Sequence, residues 1–115
     1  MKNWSPWRCV RTSSKEADIT FQKAVPVAYE LGIGAPGPDG TLRRIYIDKT
    51  DDGHRRLGEY VSGNSHIESK IRLALDAGDG LWWRSWECED KARAKNIQDA
   101  LLMTRTYPWN TQGNS

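Results

Sequence analysis

The sequence predicts an α+β fold, a small three-stranded, mostly antiparallel sheet flanked by helices. Two observations lead there. VPVAYEL at 25–31 and LRRIYID at 42–48 are β-prone runs close enough along the chain to pair antiparallel. After them come two short helical patterns, a tryptophan-dense run and a longer helical pattern, so the order is strand, strand, helix, helix, strand, helix.

Between the first two strands lies GIGAPGPDG at 32–40, whose glycines and prolines forbid a helix and suit an exposed loop. The hairpin places Tyr29 on one strand and Tyr46 on the other. Asp51 or Asp52 then caps a helix running from near Gly53 to about Val61 and ending at Ser-Gly-Asn, 62–64. Leu57 and Val61 stand one turn apart toward a core, while Arg56 and Tyr60 form a second pair facing elsewhere. Ser65 caps the next helix, where Ile67, Ile71 and Leu75 recur every four residues before Ala77-Gly78-Asp79-Gly80 stops it. LWWRSWEC at 81–88 reads as the third strand, and alternation forbids Trp82 and Trp83 from facing the same side. The last helix lies within EDKARAKNIQDALLMTRT, 89–106, with Ala94, Ile97 and Leu101 on one face. Pro108 ends it, and WNTQGNS forms a polar tail.

A chain of 115 residues suffices for one domain, and six Trp with four Tyr supply large buried area although only 37% of residues are hydrophobic. No run is long and apolar enough for a membrane span, and the N-terminal residues lack the apolar core of a signal peptide. A soluble, cytoplasmic protein with no membrane partner is expected. Cys9 and Cys88 have no metal-ligand spacing and read as reduced structural thiols. A net charge of +2 favours nucleic acid only weakly, but cations cluster in the first 24 residues and again at Arg43, Arg44, Lys49, Arg55 and Arg56.

Spacing is more specific than charge. Lys49, Arg56 and Tyr60 follow Tyr46 by three, ten and fourteen residues. With VAY at 27–29, YID at 46–48, RLGEY at 56–60 and the closing PWN at 108–110, the chain resembles the GIY-YIG nuclease superfamily over roughly residues 24–110. That resemblance implies a DNA endonuclease that hydrolyses phosphodiesters with one Mg²⁺ or Mn²⁺. It implies Tyr29 as the general base or water-positioning phenol, assisted by Tyr46. A phenol with an ordinary pKa of about 10 is a poor base unless cations lower it, and Lys49 and Arg56 are suited to do so. Arg56 also suits bidentate contact to a phosphate oxygen, with Tyr60 donating to the same group. Asn110 closes the site, and Arg55 is assigned to DNA contact. His54 in a turn and His66 at a helix start are read as lying outside it.

The chain departs from the family pattern at two positions. The family's metal-binding glutamate falls on Gln98, whose neutral amide offers a carbonyl oxygen but not the charge that holds Mg²⁺. Its neighbour Asp99 is about 100° further around the helix and faces away. Gln98 is either an engineered replacement of glutamate or the mark of a natural lineage that lost cleavage and kept binding, and retention of the other site residues favours the first. Asp48 stands where the signature has glycine, on the same side of its strand as Tyr46. It can pair with Lys49, Arg43 or Arg44, or supply metal ligation. The rival readings are a non-catalytic DNA-binding or regulatory module on the same fold, and a small protein-interaction domain whose tyrosines merely pack the sheet. One active site cuts one strand, so a double-strand break requires a homodimer, a partner protein or sequential nicking.

Overall fold

The computed structural model describes residues 3–35, 40 and 42–110. Lys2 of the basic N-terminal segment, the middle of the loop expected at 32–40, and the polar tail from 111 onward lie outside the described residues. The fold is α+β, with strands β1 (Arg8–Arg11), β2 (Val27–Gly34), β3 (Arg43–Thr50) and β4 (Gly80–Glu87), and helices α1 (Gly53–Ser62), α2 (Glu68–Asp76) and α3 (Lys91–Thr104). All neighbours pair antiparallel in the order β1-β4-β2-β3. The expected sheet of three strands is therefore corrected to four. The additional strand comes from the basic N-terminal segment, and its Arg8 and Cys9 pair with Trp83 and Trp82.

β2 is central and buried on both faces. On one face, Tyr29 and Leu31 meet Leu57, Tyr60 and Val61 of α1 and Ile71, Ala74 and Leu75 of α2. Tyr29 stacks on Trp83 with ring centroids 4.5 Å apart and planes 13° from parallel. On the opposite face, α3 lays Ala94 and Ile97 against Ala28. There β2 also buries Glu30 completely. Its carboxylate accepts from Arg84 Nε at 2.7 Å and from the Tyr107 hydroxyl, with Arg44 at 4.0 Å, and the Arg84 guanidinium lies over the rings of both Trp4 and Trp7. A carboxylate this deeply buried persists because the guanidinium and hydroxyl replace its lost water.

The helix ends show which local signals operate. Asp52 caps α1 by accepting from Arg55 N, and Gly63 closes it with φ of 83°, a conformation that side-chain-bearing residues rarely adopt. Asp90 caps α3 in the same way through Arg93 N. Ser65 does not cap α2: the residue preceding that helix is Ile67, and among the described residues no side chain caps it and Ser65 Oγ has no hydrogen-bond partner. Among the described residues, no helix is long and apolar enough to cross a membrane. Cys9 and Cys88 are free thiols.

Candidate active site

Register places the tyrosines. In the β2–β3 pair, Tyr29 lies opposite Asp48 and Leu31 opposite Tyr46, so Tyr29, Tyr46 and Asp48 leave the sheet on the side covered by α1 and α2. Lys49 lies opposite Ala28 and leaves on the α3 side. Strand parity thus separates Lys49 from the tyrosines that its spacing had seemed to join. From α1, Tyr60 and Arg56 reach the same cluster. The Tyr29 and Tyr60 hydroxyls share a 2.6 Å hydrogen bond, and Arg56 Nη1 donates to Tyr29 at 3.1 Å. Tyr60 does not face away from the core as expected but is fully buried, because it lies three residues from Leu57 and shares that face of the helix.

Asp48 is the hub of the outer half of the cluster. Its Oδ2 accepts from Tyr46 Oη at 3.1 Å and lies 3.5 Å from Arg56 Nη1. Its Oδ1 accepts from the Lys49 backbone N–H at 2.8 Å and from Gln98 Nε2 at 3.3 Å. Gln98 therefore reaches around the outer edge of the sheet into the cluster. Asp99 turns away to Lys95 at 2.6 Å, as helix geometry requires. Arg56 Nε lies 3.2 Å from Glu59 Oε1, an ion pair whose angle is too poor for a hydrogen bond. The charge partner of Asp48 is thus Arg56 rather than the side chain of Lys49, Arg43 or Arg44.

Burial controls the chemistry of the phenols. Tyr29 is inaccessible to solvent, and desolvation, followed by the proximity of Tyr60 and Asp48, raises its pKa well above the ordinary phenol value, against the opposing pull of Arg56. Desolvation also raises Tyr46, with Asp48 adding to it, and pushes Tyr60 up to about 12 despite the bond from Tyr29. The expectation that nearby cations make Tyr29 a base is reversed. Lys49 faces away, and one half-buried guanidinium beside a carboxylate does not offset the loss of water. In this geometry Tyr29 and Tyr60 are neutral residues that position Arg56. The groups at the surface are Arg56 and Asp48, with side chains 24% and 23% exposed.

Other anticipated residues lie apart. Arg55 points to solvent and pairs with Asp51 and Glu59. Asn110 is clamped to the backbone of Ile47, accepting from its N–H at 2.9 Å and donating to its carbonyl at 2.8 Å. His54 bonds the Gln22 carbonyl, outside the cluster as expected. His66, also expected outside, is inside: its Nε2 lies 3.1 Å from Tyr46 Oη. Surface clefts of about 480 and 450 Å³ lie elsewhere, one beside Trp4, Trp7 and Arg84 and the other between Arg11–Glu16 and Arg72. A group that contacts a phosphodiester on an extended polymer needs an open polar surface more than an enclosed cavity, so the cluster is the better candidate.

No protein-family profile, curated protein or solved structure matches this chain.

Proposed function

We propose that the chain is a DNA endonuclease of the GIY-YIG type that hydrolyses phosphodiesters with one Mg²⁺ or Mn²⁺. The observation that carries the reading is the convergence of Tyr29, Tyr46, Arg56 and Tyr60, from three separate elements, beside Gln98 of a fourth. Arg56 faces the phosphate and neutralises its non-bridging oxygens. Tyr29 and Tyr60 hold the guanidinium from beneath, so little reorganisation is needed when charge develops. Tyr46, itself buried, donates its hydroxyl to Asp48 and so helps to hold that carboxylate beside Arg56.

Among the described residues, no three carboxylate, imidazole or thiol groups converge as a metal cage. Mg²⁺ does not require one, since it commonly binds through one or two carboxylates together with substrate phosphate and water. Asp48, a partly exposed carboxylate touching the Gln98 amide, fits that requirement. Asp48 and the Gln98 side-chain oxygen would hold the ion, whose chemistry is to polarise the phosphate and lower the pKa of a bound water.

The second reading, a DNA-binding module without cleavage, is favoured by one observation, the neutral amide at position 98. Cleavage of labelled single-stranded, duplex and branched DNA by the chain and by Gln98→Glu, each with Mg²⁺ and with Mn²⁺, separates the two. Cutting by either form supports the nuclease. Salt-dependent binding without cutting by both forms overturns it in favour of the module.

A further inference from the structure

Trp7 is half-buried and, among the described residues, packs against neither apolar cluster of the core. An indole supplies a large apolar face, and one left outside the core keeps that face for another partner. Its neighbour is Arg84, whose Cζ lies 4.9 Å from the centre of the Trp7 ring and 4.5 Å from that of Trp4. Trp86 meets Trp4 edge-on, with ring centroids 5.6 Å apart. The three indoles and Arg84 line the cleft of about 480 Å³, which has room for a flat ring system. Register sets its position. Arg84 lies opposite Glu30 and Trp86 opposite Ala28, so both leave β4 on the side that carries α3, across the sheet from the tyrosine cluster.

The guanidinium of Arg84 is fixed but not used up. Glu30, completely buried, holds its Nε at 2.7 Å. Among the described residues neither Nη of Arg84 has a hydrogen-bond partner, and neither is sealed from solvent. Arg44 stands 4.0 Å from Glu30 as well, so that one carboxylate faces two guanidiniums. A third, Arg93, lies over Trp86 with its Cζ 5.9 Å from the ring centre. Glu87 lines the adjoining cleft, where Arg8 offsets it. A cationic ligand is excluded, because a guanidinium already covers the aromatic faces that would attract it. The matching ligand carries a flat π-face, acceptor atoms in its plane and negative charge close by. An unpaired nucleobase on its phosphate backbone has all three.

We propose that this cleft is a subsite for an unpaired base of single-stranded DNA, which stacks on Trp7 and accepts hydrogen bonds from the Nη donors of Arg84. The choice of DNA rests on the nuclease reading above, whereas the chemistry of the cleft requires only unpaired bases. A duplex keeps the faces of its bases inside the stack and offers none to an indole. The substrate class implied is therefore DNA with a single-stranded segment, such as a flap, a gap or a branch. Because the subsite and the tyrosine cluster lie on opposite sides of the sheet, the base it holds belongs to a flank of the strand rather than to the scissile nucleotide. Trp7 and Arg84 touch the base, and Glu30 is a positioning residue that acts through Arg84.

The test reads binding in the absence of divalent metal, so that no strand is cut. A short labelled oligothymidylate is compared with an abasic strand of the same length, which has the same phosphates but no bases, on the chain and on Trp7→Ala. The chain should bind the thymidylate ~10-fold more tightly than the abasic strand, a margin expected of one stacked base, and Trp7→Ala should abolish that margin while thermal unfolding shows the fold intact. Equal affinity of the chain for the two strands overturns the subsite, as does a margin that survives Trp7→Ala. If that variant does not fold, light-driven crosslinking of a bromouracil-substituted strand to the unaltered chain decides. Adducts at Trp4, Trp7 or Trp86 support the subsite, and adducts confined to other residues overturn it. Tighter binding of an oligouridylate than of the thymidylate overturns the choice of DNA. Cleavage without the base-dependent margin leaves the nuclease standing and refutes the subsite, whereas the margin without cleavage by any form does the reverse.

Discussion

Replacing Gln98 with glutamate sets a second carboxylate against Asp48, and the structure gives the size of the consequence. The amide nitrogen now lies 3.3 Å from Asp48 Oδ1 and donates to it. Gln98→Glu removes that hydrogen bond, worth about 1 kcal/mol, and substitutes like charges about 4 Å apart. Their repulsion runs from about 1 kcal/mol in water to about 4 kcal/mol at the effective dielectric of a protein surface. The Asp48 side chain is 23% exposed and Arg56 stands 3.5 Å away, so the lower half of that range applies. The variant should be less stable than its parent by about 2 kcal/mol at neutral pH without divalent metal, or roughly 5–10 °C in Tm for a domain of this size. Acidification, which places a proton between the two carboxylates, should narrow the gap. Mn²⁺ should reverse it, because an ion at a hundred times its Kd stabilises the folded state by about 2.7 kcal/mol. Thermal unfolding of both chains with and without Mn²⁺ is the assay. Equal stability without metal would refute the placement of Gln98 against Asp48, and an equal Mn²⁺ response in the two chains would refute the metal assignment.

Tyr60→Phe removes the buried 2.6 Å bond to Tyr29 while leaving Arg56 to satisfy that hydroxyl, so chemical denaturation should show a loss of about 1 kcal/mol. Alkaline titration followed by tyrosine absorbance should show the clustered phenols ionising late. Because the pKa values of Tyr29, Tyr46, Tyr60 and Tyr107 are all raised on folding, their contribution to stability is complete below about pH 10 and declines as pH rises through about 12 for Tyr60. A phenolate signal near neutral pH would contradict the burial argument. Glu30→Gln keeps the shape but removes the buried charge that Arg84 and Arg44 face, and should cost about 3 kcal/mol by urea denaturation. A cost below about 1 kcal/mol would show that the ion pair is offset by its own desolvation.

The hairpin and the helices were legible because their apolar residues recur with clear periods, and Asp52, Gly63 and Asp90 mark ends of α1 and α3, whereas α2 has no such side-chain cap. β1 was not legible: four residues, RCVR, contain only one turn of alternation, and they form a strand because β4 offers an edge beside them. Tyr29, Tyr46, Arg56, Tyr60 and Gln98, which the resemblance grouped, lie together in the structure, since each sits on a regular element whose geometry converts residue number into direction. The same counting failed for Lys49, where an odd interval from Tyr46 along a strand means the opposite face. It also missed His66, which follows the turn at Gly63. Beyond such a turn, direction depends on how two helices pack on the sheet, and no local pattern records that. The burial of Glu30 was equally hidden, because its partners Arg44, Arg84 and Tyr107 are scattered along the chain.

β3 forms an outer edge of the sheet, and the Asn110 amide occupies both backbone groups of Ile47 there, accepting from one and donating to the other. An outer strand with free backbone groups is a template on which other chains can add, and proteins blunt such templates to remain dispersed. One side chain near the end of the chain thus imitates the next strand while ending the ladder. The consequence concerns solubility: a chain shortened to end before Asn110 would keep its tyrosine cluster but expose an adhesive rim, and would be prone to self-association.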